Sequence, residues 1–400
     1  MNYTFSDKMS TLKPSAIREI LKVTSLPGVI SFAAGNPAPE TFPAAEMEKI
    51  ADDLLTHSAG KALQYGVTEG YTELRDLTAK RLKERYDIGT QDDMLIITSG
   101  GQQAIDLFAR VMLNEGDTVL CENPSFIGAL NAFRSYNANL VGIDMDDEGV
   151  DLNKLEHALK TEKNVRFMYL IPTFQNPSGR TMSLARRRAV LALAEKYGVM
   201  ILEDNPYFEL RYSGEPVPAI KSLDKNGMVL YAGTYSKIMS PGIRIGMACG
   251  PEPVINKMVV AKQVNDVHTN LFFSMVVAEY LKRYDLDAHI EEIRGVYRVR
   301  RDAMLSALER ALGGTGCTWT QPEGGLFIWA SLPKGCDSME LMRRLGEYKV
   351  AAVPGASFMV DANAPCAGYR MNFSLPTLDE IARGVEILGD VTKKFLAEKK

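Results

Sequence analysis

Lys237 lies in Tyr231-Ala-Gly-Thr-Tyr-Ser-Lys-Ile-Met-Ser-Pro-Gly-Ile-Arg-Ile-Gly246, which sets an amine beside the hydroxyls of Thr234 and Ser236 and ahead of the guanidinium of Arg244. Hydroxyls and a rigid fork of donors suit a phosphate. A lysine that is partly desolvated and close to other cations has a lowered pKa, the condition under which an amine attacks a carbonyl. A surface-loop lysine is the plainer alternative, and the apolar residues around it, from Tyr231 to Met247, weigh against that.

Other segments carry signals of the same kind. In Thr98-Ser-Gly-Gly-Gln-Gln103, glycines at the start of a helix let backbone N–H groups approach an anion. A Gly-Gly turn is often only a turn, and this one lacks the Walker pattern. Asn123-Pro-Ser-Phe126 offers a ring that can cover a planar ligand or simply fill core. Pro172-Thr-Phe-Gln-Asn-Pro-Ser-Gly179 holds Asn176 among turn-forming residues. Ile201-Leu-Glu-Asp-Asn-Pro-Tyr207 places Asp204 at the end of an apolar run, where a carboxylate needs a partner or caps a helix, with Tyr207 just beyond.

Each segment follows a short apolar run, and these runs predict strands at 94–98, 118–121, 165–171, 199–203, 228–233 and 243–249. Amphipathic helical patterns separate them, including one over 104–113. Phe167-Met-Tyr-Leu-Ile171 and Val199-Met-Ile-Leu202 are apolar on both faces, as parallel strands covered by helices are. An open sheet of this kind binds ligands at the carboxyl ends of its strands, where the polar segments fall. The fold class expected is α/β: a large domain over 44–284 with a mainly parallel mixed sheet flanked by helices. A smaller α+β domain is expected from 1–43 and 285–400, with a helix over 290–312 and strands at 326–330 and 369–373.

Composition narrows the function. A net charge of -4 argues against nucleic acid or an anionic membrane surface as partner. Neither a signal core nor an apolar run of membrane-spanning length is present. The five cysteines lack metal-ligand spacing and read as reduced thiols in a cytoplasmic protein. Asp144-Met-Asp-Asp-Glu-Gly149 has Leu155 where a calcium loop needs its bidentate glutamate, so it reads as an acidic turn and no metal is expected. The four histidines are isolated, and the scattered methionines suit core filling.

Taken in chain order, the segments select a phosphate, a pyridine ring and an aldehyde: pyridoxal 5′-phosphate. From about Pro14 onward the chain resembles the fold type I pyridoxal-phosphate enzymes, specifically the class I/II aminotransferases. It is most similar to the 2-aminoadipate and kynurenine branch, through Ser15-Ala-Ile-Arg-Glu-Ile20, Ile30-Ser-Phe-Ala-Ala-Gly-Asn-Pro-Ala-Pro39 and Gln64-Tyr-Gly-Val-Thr-Glu-Gly70. The resemblance implies that Lys237 anchors the cofactor and then carries the substrate proton. It also implies that Asp204 pairs with the ring nitrogen, that Tyr207 and Asn176 serve the ring oxygen, and that Phe126 stacks on the ring. Gly101, Gln102, Thr234, Ser236 and Arg244 match the phosphate cup. Arg370 in Gly368-Tyr-Arg-Met-Asn-Phe373 matches the grip on the substrate carboxylate, with Gly35 beside it and Arg18 near the substrate's distal group. Tyr65 matches a tyrosine that reaches the neighbouring subunit's phosphate, implying a homodimer with shared active sites. Phe126 and Asn36 depart from the common Tyr and apolar residue of the family.

The activity implied is transfer of an amino group from an L-amino acid, whether 2-aminoadipate, aromatic or large aliphatic, to a 2-oxo acid such as 2-oxoglutarate. A lyase or decarboxylase on the same scaffold is the alternative. A ligand-sensing domain is a weaker one, because only thirteen residues precede Pro14, too few for a helix-turn-helix.

Overall fold

The computed structural model describes residues 3–6, 9 and 28–399. Its N-terminal strand β1 (Ile30–Ser31) belongs with the C-terminal part of the chain, and β2 (Asp93–Thr98) opens the main sheet. That sheet continues through β3 (Thr118–Asn123), β4 (Asn139–Asp146), β5 (Gly149–Val150), β6 (Val165–Leu170), β7 (Met200–Asp204), β8 (Val229–Thr234) and β9 (Gly246–Pro251). The strand order is β2-β9-β8-β7-β6-β3-β4-β5. Pairing is parallel from β8 through β7, β6 and β3 to β4, whereas β9 runs antiparallel to both its neighbours and β5 antiparallel to β4. The carboxyl ends of β2, β3, β6, β7 and β8 therefore lie along one edge.

Apolar residues on both faces of these strands explain the layering. On one face Ile96, Phe167, Tyr169, Leu202 and Ala248 pack with Phe108, Phe133 and Met258 from helices. On the other, Leu120, Met168, Leu170, Ile201 and Val229 pack with Leu155 and Leu191. Phe167 has edge-on ring contacts at 5.0 Å to Phe108 and 5.3 Å to Phe133. This is the mostly parallel, helix-covered sheet expected.

A second sheet has the order β10-β11-β14-β13, from β10 (Thr318–Trp319), β11 (Phe327–Ser331), β13 (Val353–Pro354) and β14 (Gly368–Asn372), while β12 (Val350–Ala351) pairs in parallel with β1. The helices Leu286–Leu312 and Leu378–Ala397 cross closely at Gly389, where a side chain would meet Ala311 Cβ at 2.8 Å. Residues 30–38 thread past this body: Phe32 O accepts the Asn372 N–H at 2.7 Å, Asn36 O accepts the Ser374 hydroxyl at 2.8 Å, and the Ala38 N–H donates to Tyr297 at 2.9 Å.

Some expected boundaries shift. The helix predicted over 104–113 begins at Gly101. The strand predicted over 243–249 begins at Gly246, because Pro241–Ile243 forms a 3-10 turn and Arg244 takes a left-handed backbone, φ 53°. Strand β4 was not predicted, and the acidic turn joins it to β5 as a hairpin.

Candidate active site

Lys237 ends a 3-10 turn, Tyr235–Lys237, that follows β8. Thr234 caps the turn, its Oγ1 accepting the Ser236 N–H at 3.1 Å and donating to Ile245 O at 3.2 Å. The Lys237 amine donates to Gly35 O at 3.0 Å and lies 5.8 Å from the centre of the Tyr207 ring. Burial, followed by the nearby Arg370 and Arg244, brings its pKa down to about 8, with Asp204 the opposing influence. The neutral amine is thus reached well below the pH an exposed lysine requires.

Asp204 closes β7 and is buried, its Oδ2 accepting the hydroxyl of Tyr169 on the adjacent β6 at 2.6 Å. Burial pushes its pKa up to about 7, against the pull of Tyr169 and Lys237. Burial also holds the Tyr207 phenol above its ordinary range, offset by Arg370 and by a hydrogen bond with Asn176.

Arg370 sits on β14 with its guanidinium between two rings, 4.3 Å from the centre of Phe327 and 4.8 Å from that of Phe358. It donates to Asn176 Oδ1 at 2.9 Å and to Ala33 O at 2.7 Å, while its buried Nε has no protein partner. Burial lowers its pKa to about 10, so it remains a cation at neutral pH. An orphaned donor on a buried cation is a place for an anion.

The opposite end of the cavity is made by the start of the helix Gly101–Met112, whose first turn no side chain caps. Arg244 folds over it, donating to Ser99 O at 3.2 Å and toward Ser236 Oγ at 3.4 Å. Gly100 has φ +79°, and a Cβ there would fall 2.1 Å from the Arg244 guanidinium. Gln102 donates to Gly128 O at 2.9 Å, and Gly128 lies against the Phe126 ring. The cavity measures about 310 Å³ and is lined by Gly35, Asn36, Gly101, Gln102, Phe126, Asn176, Asp204, Tyr207, Thr234, Ser236, Lys237, Arg244 and Arg370.

Tyr65, expected to reach a neighbouring subunit's phosphate, does not line it. Tyr65 is 80% exposed and meets His268 edge-on at 5.7 Å. Arg18, with the segment from Ser15 to Ile20, lies outside the described residues.

Several supporting residues escape a reading of the sequence. Tyr169 looks like one more member of an apolar strand, and Phe327 and Phe358 look like core. Arg187, fully buried in a helix, donates to Pro172 O at 2.7 Å and Thr173 Oγ1 at 2.9 Å. Glu122 accepts the Ile171 N–H at 3.0 Å and the Gln175 amide at 3.2 Å. Together they pin the loop that presents Asn176. Glu122 is signalled only by a charge closing an apolar run, and Arg187, between Arg186 and Arg188, is not signalled at all.

A lysine with a lowered pKa, a buried carboxylate and an uncapped helix start around one cavity, at the carboxyl edge of a mainly parallel sheet, define a fold type I enzyme that uses pyridoxal 5′-phosphate. The residues fit that cofactor. Asp204 sets a buried carboxyl, ready to ionise beside a ring cation, facing the cavity, and only glycine at 100 lets Arg244 close on the phosphate turn. The chain belongs to the aminotransferase class I and II family, whose model matches residues 27–388, and it is an aminotransferase. It is 44% identical over 98% of its length, and 94% of the relative's, to aromatic-amino-acid aminotransferase 1 of Thermococcus litoralis. It superposes at TM-score 0.94 and 44% identity on a Pyrococcus horikoshii kynurenine aminotransferase in complex with PMP, covering 98% of this chain and 97% of that one. An α-aminoadipate aminotransferase of Thermus thermophilus, complexed with N-(5′-phosphopyridoxyl)-L-leucine, superposes at TM-score 0.90 and 38% identity over 98% of each chain. No helix among the described residues is long and apolar enough to cross a membrane.

Proposed function

We propose that the protein moves the amino group of an aromatic, 2-aminoadipate or large aliphatic L-amino acid to 2-oxoglutarate, in two half-reactions at one site. The observation that carries this is the pairing of Lys237 and Arg370 across one cavity, an amine of lowered pKa facing a buried guanidinium with a free N–H. Pyridoxal phosphate, when bound, supplies an electron-accepting ring that stabilises negative charge at the substrate α-carbon. Arg370 takes the α-carboxylate beside Gly35, and the apolar surfaces of Phe126, Ile127 and Phe327 receive a large side chain. Lys237, neutral, would take the α-proton and return it two atoms along, on the far side of the shared nitrogen, as general base and then acid. Asp204 holds a proton at the ring nitrogen, Tyr207 and Asn176 orient the ring oxygen, and Gly101, Gln102, Thr234, Ser236 and Arg244 hold the phosphate.

Support for a homodimer comes from the exposed apolar side chains of Leu63, Tyr65 and Val67, close together in the chain, and of Val264. In that assembly Tyr65 serves the neighbouring subunit's phosphate. We place the protein in the cytoplasm and divide the chain into a large domain, 44–284, and a smaller one formed by 1–43 and 285–400.

Measuring kcat/KM for aminoadipate, kynurenine, phenylalanine, leucine and lysine at fixed 2-oxoglutarate tests the reading. Stoichiometric glutamate, with the aromatic and aminoadipate donors leading, is the expected outcome. Ammonia or carbon dioxide without glutamate would refute it.

A further inference from the structure

Against the turn Ser99-Gly100-Gly101 lies a closed polar cluster that does not line the cavity. At its centre is Lys262, a fully buried lysine near the end of the helix Glu252–Gln263. Its ammonium donates to Gln103 Oε1 at 2.8 Å and to Asp266 Oδ1 at 2.7 Å. Asp266 Oδ2 in turn accepts the Ser99 hydroxyl at 2.8 Å and the Gln103 amide at 2.7 Å. Gln103 Oε1 also accepts the Ser99 N–H at 2.7 Å, and the Ser99 carbonyl accepts Arg244 at 3.2 Å. Every polar group of Ser99 is thereby fixed.

Placing an ammonium away from water is costly unless its partners are well arranged. The corner that aims Asp266 is itself tightly determined. The N–H groups of Asn265, Asp266 and Val267 all converge on Lys262 O, at 3.0, 3.1 and 3.2 Å. Val267, a β-branched residue, is held at φ +66°, a conformation that such residues avoid unless their surroundings impose it.

We infer that Lys262 and Asp266 are positioning residues for the cofactor's phosphate, acting through Ser99 and Gln103 without touching it. The inference rests on reading the 99–102 turn as the phosphate site. A pair that merely anchored a helix end would affect folding and not distinguish one ligand from another.

The apoprotein, wild type and with Lys262→Met or Asp266→Asn, is titrated by absorbance with pyridoxal phosphate and with pyridoxal, which lacks the phosphate, and apoprotein melting is followed alongside. Both variants should lose roughly ten- to a hundredfold in affinity for pyridoxal phosphate, with pyridoxal changed less than about twofold. Unchanged binding of pyridoxal phosphate, or an equal loss for both ligands, would overturn the inference. If Lys262→Met fails to fold, Asp266→Asn, which preserves shape, decides alone by the same criterion. Should wild type bind the two ligands equally, the phosphate-turn reading itself fails, whatever the variants do.

Discussion

At the scale of single residues, the site is a set of groups whose pKa values burial has moved away from those they have in water. Asp204 shows the energetic side of this. Its carboxyl is ordinary in the unfolded chain and pushed up to about 7 in the folded one, mainly by burial. The folded apoprotein therefore favours the protonated form, whose stabilising contribution is complete below the unfolded pKa and is lost as pH rises through the folded one. Asp204→Asn, which does not titrate and still accepts from Tyr169, should match wild-type apoprotein near pH 4. It should grow more stable than wild type toward pH 8, by about 1.4 kcal/mol per unit across the window at most. Denaturant midpoints of both apoproteins across that range check this, and a pH-independent difference would contradict it. Such stress relieved by a ligand cation is what a cofactor with a ring nitrogen offers.

At the scale of elements, the strands deliver these groups because their carboxyl ends share an edge, and the chain makes the close approaches with glycine. Gly246 starts β9 where a Cβ would lie 2.6 Å from the Gly100 carbonyl carbon and 2.8 Å from the Gly101 nitrogen, backbone atoms that have nowhere to move. Gly246→Ala should cost about 1–3 kcal/mol, read as a lower melting temperature, and weaken pyridoxal phosphate binding with it. An unchanged melt would show that the turn yields.

The same elements show what a sequence can disclose. Strands buried on both faces, such as β6 and β7, stand out as apolar runs. Asn139–Asp146 lies near the sheet's margin, and with Gly142, Asp144 and Asp146 exposed only the short run Leu140-Val-Gly-Ile143 marks it. The first helical turn, Gly101-Gln-Gln103, has no apolar residue to set its phase. Lys237, Asp204, Asn176 and Arg370 could be named because motifs surround them, and one cavity brings them together. Tyr169, Arg187 and Glu122 could not, since their partners come from distant elements.

At the scale of the whole molecule, Tyr65 and the exposed apolar side chains near it in the chain separate a complete site from a shared one. If Tyr65 completes the site of a second copy, Lys237→Ala and Tyr65→Ala subunits reassembled together form one site with both residues intact. Pyridoxal phosphate affinity and transamination should then recover above the average of the two parents; no recovery would assign Tyr65 to its own subunit or to neither. The assignment on which everything else depends is Lys237. The intact protein, loaded with pyridoxal phosphate, is reduced with borohydride, and its peptides are mapped by mass. The expected result is a single phosphopyridoxyl label on the peptide carrying Lys237, absent from Lys237→Ala, which should also lose transamination. A label on another lysine, or full activity without Lys237, would contradict it.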